Sequence, residues 1–187
     1  MLEIRWHSRA GQGAVTGAKG LGSVVAETGK EVQAFAFYGS AKRGASMTAY
    51  NRIDDQQIIN HEKFMRPNFV FILDPALVFT DDFTANETED TKYIITTHLN
   101  KDELIESVPA LHGREERTFI LDCLQISQET IGRPIPNTPM LGAFMKISGM
   151  FELDYFQNAM KSVLKKLPQK VVDANMIAIE RAYNEVH

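Results

Sequence analysis

Apolar and polar residues alternate at the start of the chain, in Leu2–Trp6 (LEIRW), and this period of two predicts a first strand. A glycine turn follows, then Gly13–Gly29 (GAVTGAKGLGSVVAETG), where Ala14, Ala18, Leu21 and Val25 recur at helical spacing. Gly17, Gly20 and Gly22 each weaken that helix, so close packing on a sheet or close approach to a ligand has to offset them. Gly29 is a stop signal. Glu31–Phe37 and Ala45–Ile53 read as second and third strands, joined by the turn YGSAKRG. Phe69–Leu73 (FVFIL) is apolar without alternation, as in a strand buried on both faces, and Asp74-Pro75 ends it.

Farther along, DDFTANETED (Asp81–Asp90) reads as a polar, acidic surface loop. Lys92–Thr96 (KYIIT) and Thr118–Asp122 (TFILD) are two further core strands, separated by a helix in which Asn100 and Glu103 form a capping box. The proline-rich GRPIPNTP is expected to be irregular. Beyond it Met140–Met150, Leu153–Leu167 and Gln169–Val186 all carry the helical period, and no further strand is predicted. Strands interleaved with helices and followed by a helical end predict an α/β fold: a Rossmann-like sandwich with a mainly parallel or mixed sheet and a helical C-terminal part. The turn after the first strand then lies at a strand's carboxyl end, where open sheets place ligand crevices.

At 187 residues the chain suits one domain, 1–187, with a full core. Its apolar runs are strand-length, so no membrane span is expected, and MLEIRWH lacks the pattern of a secretory signal. The single cysteine, Cys123, rules out an internal disulfide and fits a reducing cytoplasm. A net charge of −4 argues against general nucleic-acid binding. Residues 1–53 nevertheless hold seven Lys/Arg against three Glu, leaving −8 on the remainder. That asymmetry fits either a solvated face or an anion- or partner-facing surface.

Few residues point to chemistry. Gly11 and Gly13 begin a dinucleotide fingerprint, but the third position is Thr16, and the spacing of Gly13, Gly17 and Lys19 fails the phosphate-loop pattern. What remains is a tight turn at a helix amino terminus, whose free amides suit an anion. There is no zinc-protease motif, no cysteine pair and no nucleophile elbow. The five histidines are scattered and read as surface or strand-end residues, Cys123 as a small buried filler, and Asp74 and Asp122 as carboxylates serving a turn or helix start.

Four segments stand together in order and spacing: RWHSRAGQGAVTGAK, FYGSAKRGA, NTPMLGAFMK and NMIAIERAY. As a set they resemble the gamma subunit of pyruvate (2-oxoacid):ferredoxin oxidoreductase over essentially the whole chain. Gly11, Gln12 and Gly13 match the end of that family's G-x-G-G-Q-G turn, while Ser8 and Ala10 replace two of its glycines. Gly39, Arg43 and Gly44 match the second pattern, and Asn137, Leu141 and Gly142 the third. The resemblance implies a complex converting pyruvate and coenzyme A to acetyl-CoA and CO2, with electrons passing to ferredoxin, and using thiamine diphosphate and iron–sulfur clusters. One cysteine cannot ligate a four-iron cluster, and no thiamine signature is present, so this chain is expected to hold no cofactor alone. Alpha, beta and delta subunits are the implied partners.

On this basis Gly11, Gln12, Gly13, Arg43, Gly44 and Asn137 are the candidate binding residues, with Gly11–Gly13 and Lys42–Gly44 forming one rim of a subunit junction near the coenzyme A entrance. Asn137 is expected to orient or cap a helix beginning near Met140. Three alternatives stay open: a gamma subunit for another 2-oxoacid, a purely architectural subunit, and a free-standing nucleotide- or flavin-binding α/β protein.

Overall fold

The computed structural model describes residues 1–38, 45–59 and 66–187. Among them six strands form one mixed sheet: β1 (Leu2–Arg9), β2 (Glu31–Tyr38), β3 (Ser46–Asp54), β4 (Phe69–Ile72), β5 (Lys92–Thr96) and β6 (Thr118–Leu121), in the order β2-β3-β1-β4-β5-β6. β1, β4, β5 and β6 run parallel, while β3 lies antiparallel to both β1 and β2. The expected α/β architecture with a mixed sheet is what the chain adopts. All six predicted strands are present, and β1 runs three residues past its predicted end.

Helices α1 (Ala14–Ala26), α3 (Cys123–Thr130), α4 (Asn137–Ser148), α5 (Leu153–Val163) and α6 (Gln169–Glu185) share one hydrophobic cluster with Ile4, Trp6, Phe69, Phe71 and Ile94 of the sheet. The opposite face of the sheet turns Val70, Ile72, Tyr93, Ile95 and Ile120 toward Leu77 and Phe83 of the β4–β5 connection and Leu104 of α2 (Lys101–Ser107). The fold therefore has three layers. Asn100 and Glu103 make both bonds of the predicted capping box.

Three readings change. Helix α3 was not anticipated in the segment after the sixth strand; Asp122 caps it by accepting from the Gln125 amide at 2.9 Å. Helix α4 begins at Asn137, three residues before Met140, because Pro139 lies in its first turn, where a missing N–H has no intrahelical partner to lose. The acidic segment Asp81–Asp90 does not simply lie on the surface. Phe83 is 1% exposed, and the segment is drawn onto the sheet by a cation described below.

The glycines of α1 are explained by proximity. A Cβ on Gly17 would stand 2.9 Å from the Trp6 ring, and one on Gly22 would stand 3.1 Å from Val32 of β2. Helix and sheet approach so closely that only glycine fits without displacement. At the far edge of the sheet, Ile120 of β6 and His187 exchange backbone hydrogen bonds at 2.8 and 3.3 Å, so His187 extends the pairing by one step.

Candidate functional site

Chain direction diverges between the parallel neighbours β1 and β4. From β1 the chain passes through α1 to β2 on one side, and from β4 it passes to β5 on the other. Ligand crevices of open α/β sheets form outside strand carboxyl ends at such a point. Here the loop Ala10–Gly13 leaves β1 and Asp74 follows β4.

Gln12 organises the loop. Its side-chain oxygen accepts from the Arg9 amide at 2.8 Å and from the Ser8 hydroxyl at 3.2 Å, and its Nε2 donates to Asp74 Oδ2 at 2.8 Å. The same Asp74 oxygen accepts from Arg9 Nε at 3.1 Å, while Oδ1 accepts from the Ala76 amide at 2.9 Å and starts a short 3-10 turn at Pro75–Phe79. The two strand ends are thus laced together through one carboxylate. As expected, Asp74 and Asp122 serve a turn and a helix start, and Asp74 also braces the loop.

Gly11 and Gly13 take φ values of +96° and +83°, the left-handed region that costs L side chains about 1–2 kcal/mol. They reverse the chain so that α1 starts at Ala14 with no side-chain cap. A helix start without a side-chain cap leaves amide donors for an external acceptor. Asn137 meets this turn from 124 residues away. Its Nδ2 donates to the Gly13 carbonyl at 3.2 Å, and its Oδ1 accepts from the Thr138 amide at 2.8 Å. It is the first residue of α4 rather than its cap, and it ties the start of α4 to the start of α1. Gly11, Gln12, Gly13 and Asn137 therefore converge. Arg43 and Gly44, with Gly39 and Lys42, lie outside the described residues.

On the other face of β1 stands a set of ionisable residues that sequence reasoning had not assigned to the interior. Arg5 donates to the carbonyls of Phe83 (2.6 Å) and Ala85 (2.8 Å), which pulls the acidic segment inward. Glu3 accepts from Arg52 Nε at 2.9 Å, and Arg52 is fully buried. His7, expected at the surface or a strand end, is 4% exposed, and its Nδ1 lies 2.9 Å from Asp81 Oδ2. Burial holds the imidazole below its ordinary pKa despite that bond. Burial alone would raise the Asp81 carboxyl, but His7, Ser46 and Arg9 together hold it low. The neutral tautomer that donates from Nδ1 fits both shifts, and His7 Nε2 has no partner among the described residues. The available signal was the alternation itself: Glu3, Arg5, His7 and Arg9 form one ionisable row, in which Arg9 meets Asp74, His7 meets Asp81 and Glu3 meets Arg52.

Cys123 is fully buried and its thiol is pushed far up by burial, which suits the packing role assigned to it. Among the described residues no group of three or more His, Cys, Asp or Glu is arranged to hold a metal ion, and no helix is long and apolar enough to cross a membrane.

Comparison with known proteins decides the family. The model of the pyruvate ferredoxin/flavodoxin oxidoreductase family matches residues 3–185. The chain belongs to this family. It is 38% identical over 185 residues to the pyruvate/ketoisovalerate oxidoreductases common subunit gamma of Thermococcus kodakarensis, covering 99% of this chain and 97% of that one. It is 36% identical over 186 residues to pyruvate synthase subunit PorC of Thermotoga maritima, covering 99% and 94%. The crystal structure of pyruvate oxidoreductase subunit PORC from Thermotoga maritima superposes with a TM-score of 0.84 at 35% identity, covering 100% of this chain and 97% of that chain. The resemblance drawn from the four sequence segments is therefore borne out, and so is the fold.

Proposed function

We propose that this chain is the gamma subunit of a multisubunit pyruvate:ferredoxin oxidoreductase, working in the cytoplasm with alpha, beta and delta subunits. The complex converts pyruvate and coenzyme A to acetyl-CoA and CO2 and passes the electrons to ferredoxin. Thiamine diphosphate and the clusters reside on the other chains. This chain supplies a surface on the coenzyme A side of a subunit junction, built from Gly11, Gln12 and Gly13, Asn137, and Arg43 with Gly44. The observation that carries the reading is the junction of Gly13 and Asn137. It sets the start of α1, free of any side-chain cap, at the strand ends where such sheets bind ligands.

The chain's own contribution is electrostatic and positional. The amides that open α1 offer donors to an anionic group, and the helix dipole favours negative charge there. Arg43, two residues before Ala45, adds a fork able to grip a phosphate or a backbone carbonyl at two points. The Thermococcus relative is described as common to pyruvate and ketoisovalerate oxidoreductases. That favours a second reading, in which this chain serves more than one 2-oxoacid and the partner subunits set the substrate.

The test is co-expression of this chain with the alpha, beta and delta chains, followed by assay with pyruvate and with 2-ketoisovalerate. Activity that requires this chain is expected, and the isolated chain is expected to be inactive. Arg43→Ala in the complex should raise the KM for coenzyme A. Unchanged assembly and unchanged coenzyme A dependence would remove Arg43 from the site.

A further inference from the structure

On the helical side of the sheet α1, α4, α5 and α6, with the connection from α3 to α4, line a cavity of about 770 Å³. Leu141, Met160 and Asn175, all buried, form its floor, and Ile131, Val163 and Leu164 form half-buried walls. Leu167, 44% exposed, stands at the mouth. Three cations from three different elements ring it: Lys19 of α1, Arg133 of the α3–α4 connection, and Lys166 after α5. Among the described residues no acidic one lines the cavity, and none of these three cations makes an ion pair with another described residue. Lys165 and Lys170 add exposed positive charge beside Lys166. Uncompensated cations cluster here although the chain carries a net charge of −4.

We propose that this groove receives an acidic amphipathic helix from another subunit of the oxidoreductase; the inference rests on the subunit reading above. A single small anion would be held by a buried cation, and among the described residues the groove has none. Lys19, Arg133 and Lys166 are all exposed. Three polar side chains of the lining already serve the chain itself: Asn137 donates to the Gly13 carbonyl, the Thr138 hydroxyl to Asn137 Oδ1, and Asn175 to the Val171 carbonyl. What the groove offers outward is an apolar trough within a diffuse positive rim. A helix with apolar residues at positions i, i+3 and i+4 and carboxylates on its flanks matches both features. Asn137 and Gly17 line the groove as well as the turn of the proposed junction, so the two surfaces are continuous.

The test uses the co-expressed complex. Zero-length carbodiimide coupling followed by mass spectrometry should join Lys19 and Lys166 to Asp or Glu of a second subunit, in a segment with apolar residues at helical spacing. The variant K19E/R133E/K166E, altered only at exposed positions, should keep its unfolding temperature. It should bind its partners about tenfold more weakly, with a shallower salt dependence. Lys substituted at the cross-linked carboxylates should restore binding. A complex that assembles normally with the triple variant and gives no such cross-link overturns the groove proposal and leaves the subunit reading intact. A small molecule found in the groove of the assembled complex does the same. A chain that joins no partner at all overturns both.

Discussion

The side-chain amide of Asn137 donates to the carbonyl of Gly13 across 3.2 Å and fills the space that a Gly13 Cβ would need. That Cβ would lie 2.5 Å from Asn137 Nδ2, on a backbone already at φ +83°. Gly13→Ala is therefore expected to cost about 2–3 kcal/mol, part from the left-handed backbone and part from displacing Asn137. Asn137→Ala in the same background should recover the second part only. Denaturant unfolding of the two single variants and the double variant would measure the coupling; simple additivity would contradict the contact.

Gly142 and Gly20 should respond in opposite ways to the same change. A Cβ on Gly142 would stand 2.2 Å from the backbone oxygen of Ile179, so α4 and α6 would have to separate. Gly142→Ala should cost about 3 kcal/mol and lower Tm by roughly 6–12 °C. A Cβ on Gly20 meets Met160, at 3.6 Å from Cε and 3.9 Å from Sδ, both ordinary contacts. Gly20→Ala should add about 0.5–1 kcal/mol through helix propensity. Scanning calorimetry of the two variants separates these outcomes.

Stability should fall in mild acid because of His7. Its folded pKa lies below the ordinary 6.5, so between those values the unfolded chain binds a proton that the native state refuses. The contribution is complete above pH 6.5 and is lost as pH drops through the folded value, with a slope of at most about 1.4 kcal/mol per pH unit. His7→Asn keeps a donor near Asp81 but cannot titrate there, and should flatten the profile over that window. Asp81, held below its usual 3.8, adds a separate loss only at lower pH. Unfolding free energies at several pH values for both proteins check the sign.

Removing Val186 and His187 should cost about 2–3 kcal/mol. The deletion takes away the two backbone bonds to Ile120 and the burial of Val186. Hydrogen exchange at the Ile120 amide should accelerate in the truncated chain while β1 keeps its protection.

Much of the architecture follows from local sequence. The strands Lys92–Thr96 and Phe69–Leu73 and the capping box of Asn100 and Glu103 were legible because each depends on neighbours within one element. Helix α3 was not legible because its eight residues impose no clear period and, unlike the shorter α2, it has no capping box to mark its start. Within the candidate site, the glycine turn was visible and its partner Asn137 could be named, but not its bond to Gly13, which joins positions 124 residues apart. The burial of His7, on the polar row of β1, was not legible for a related reason. Alternation separates two faces of a strand, but whether the second face meets water depends on what covers it. Here it is covered by the 81–90 segment, held by Arg5 and His7.

The sequence by itself determined all six strands and every α-helix but α3, the glycine turn after the first strand and the family the chain belongs to, since periodicity, capping and motif spacing act over short distances. Tertiary structure alone decided that Gly13 and Asn137 meet, that one carboxylate laces β1 to β4, that His7 is buried, and that unpaired cations ring an apolar groove. Each depends on where distant segments lie when the sheet is covered, and a buried or unpaired charge acquires its energetic meaning only from those surroundings.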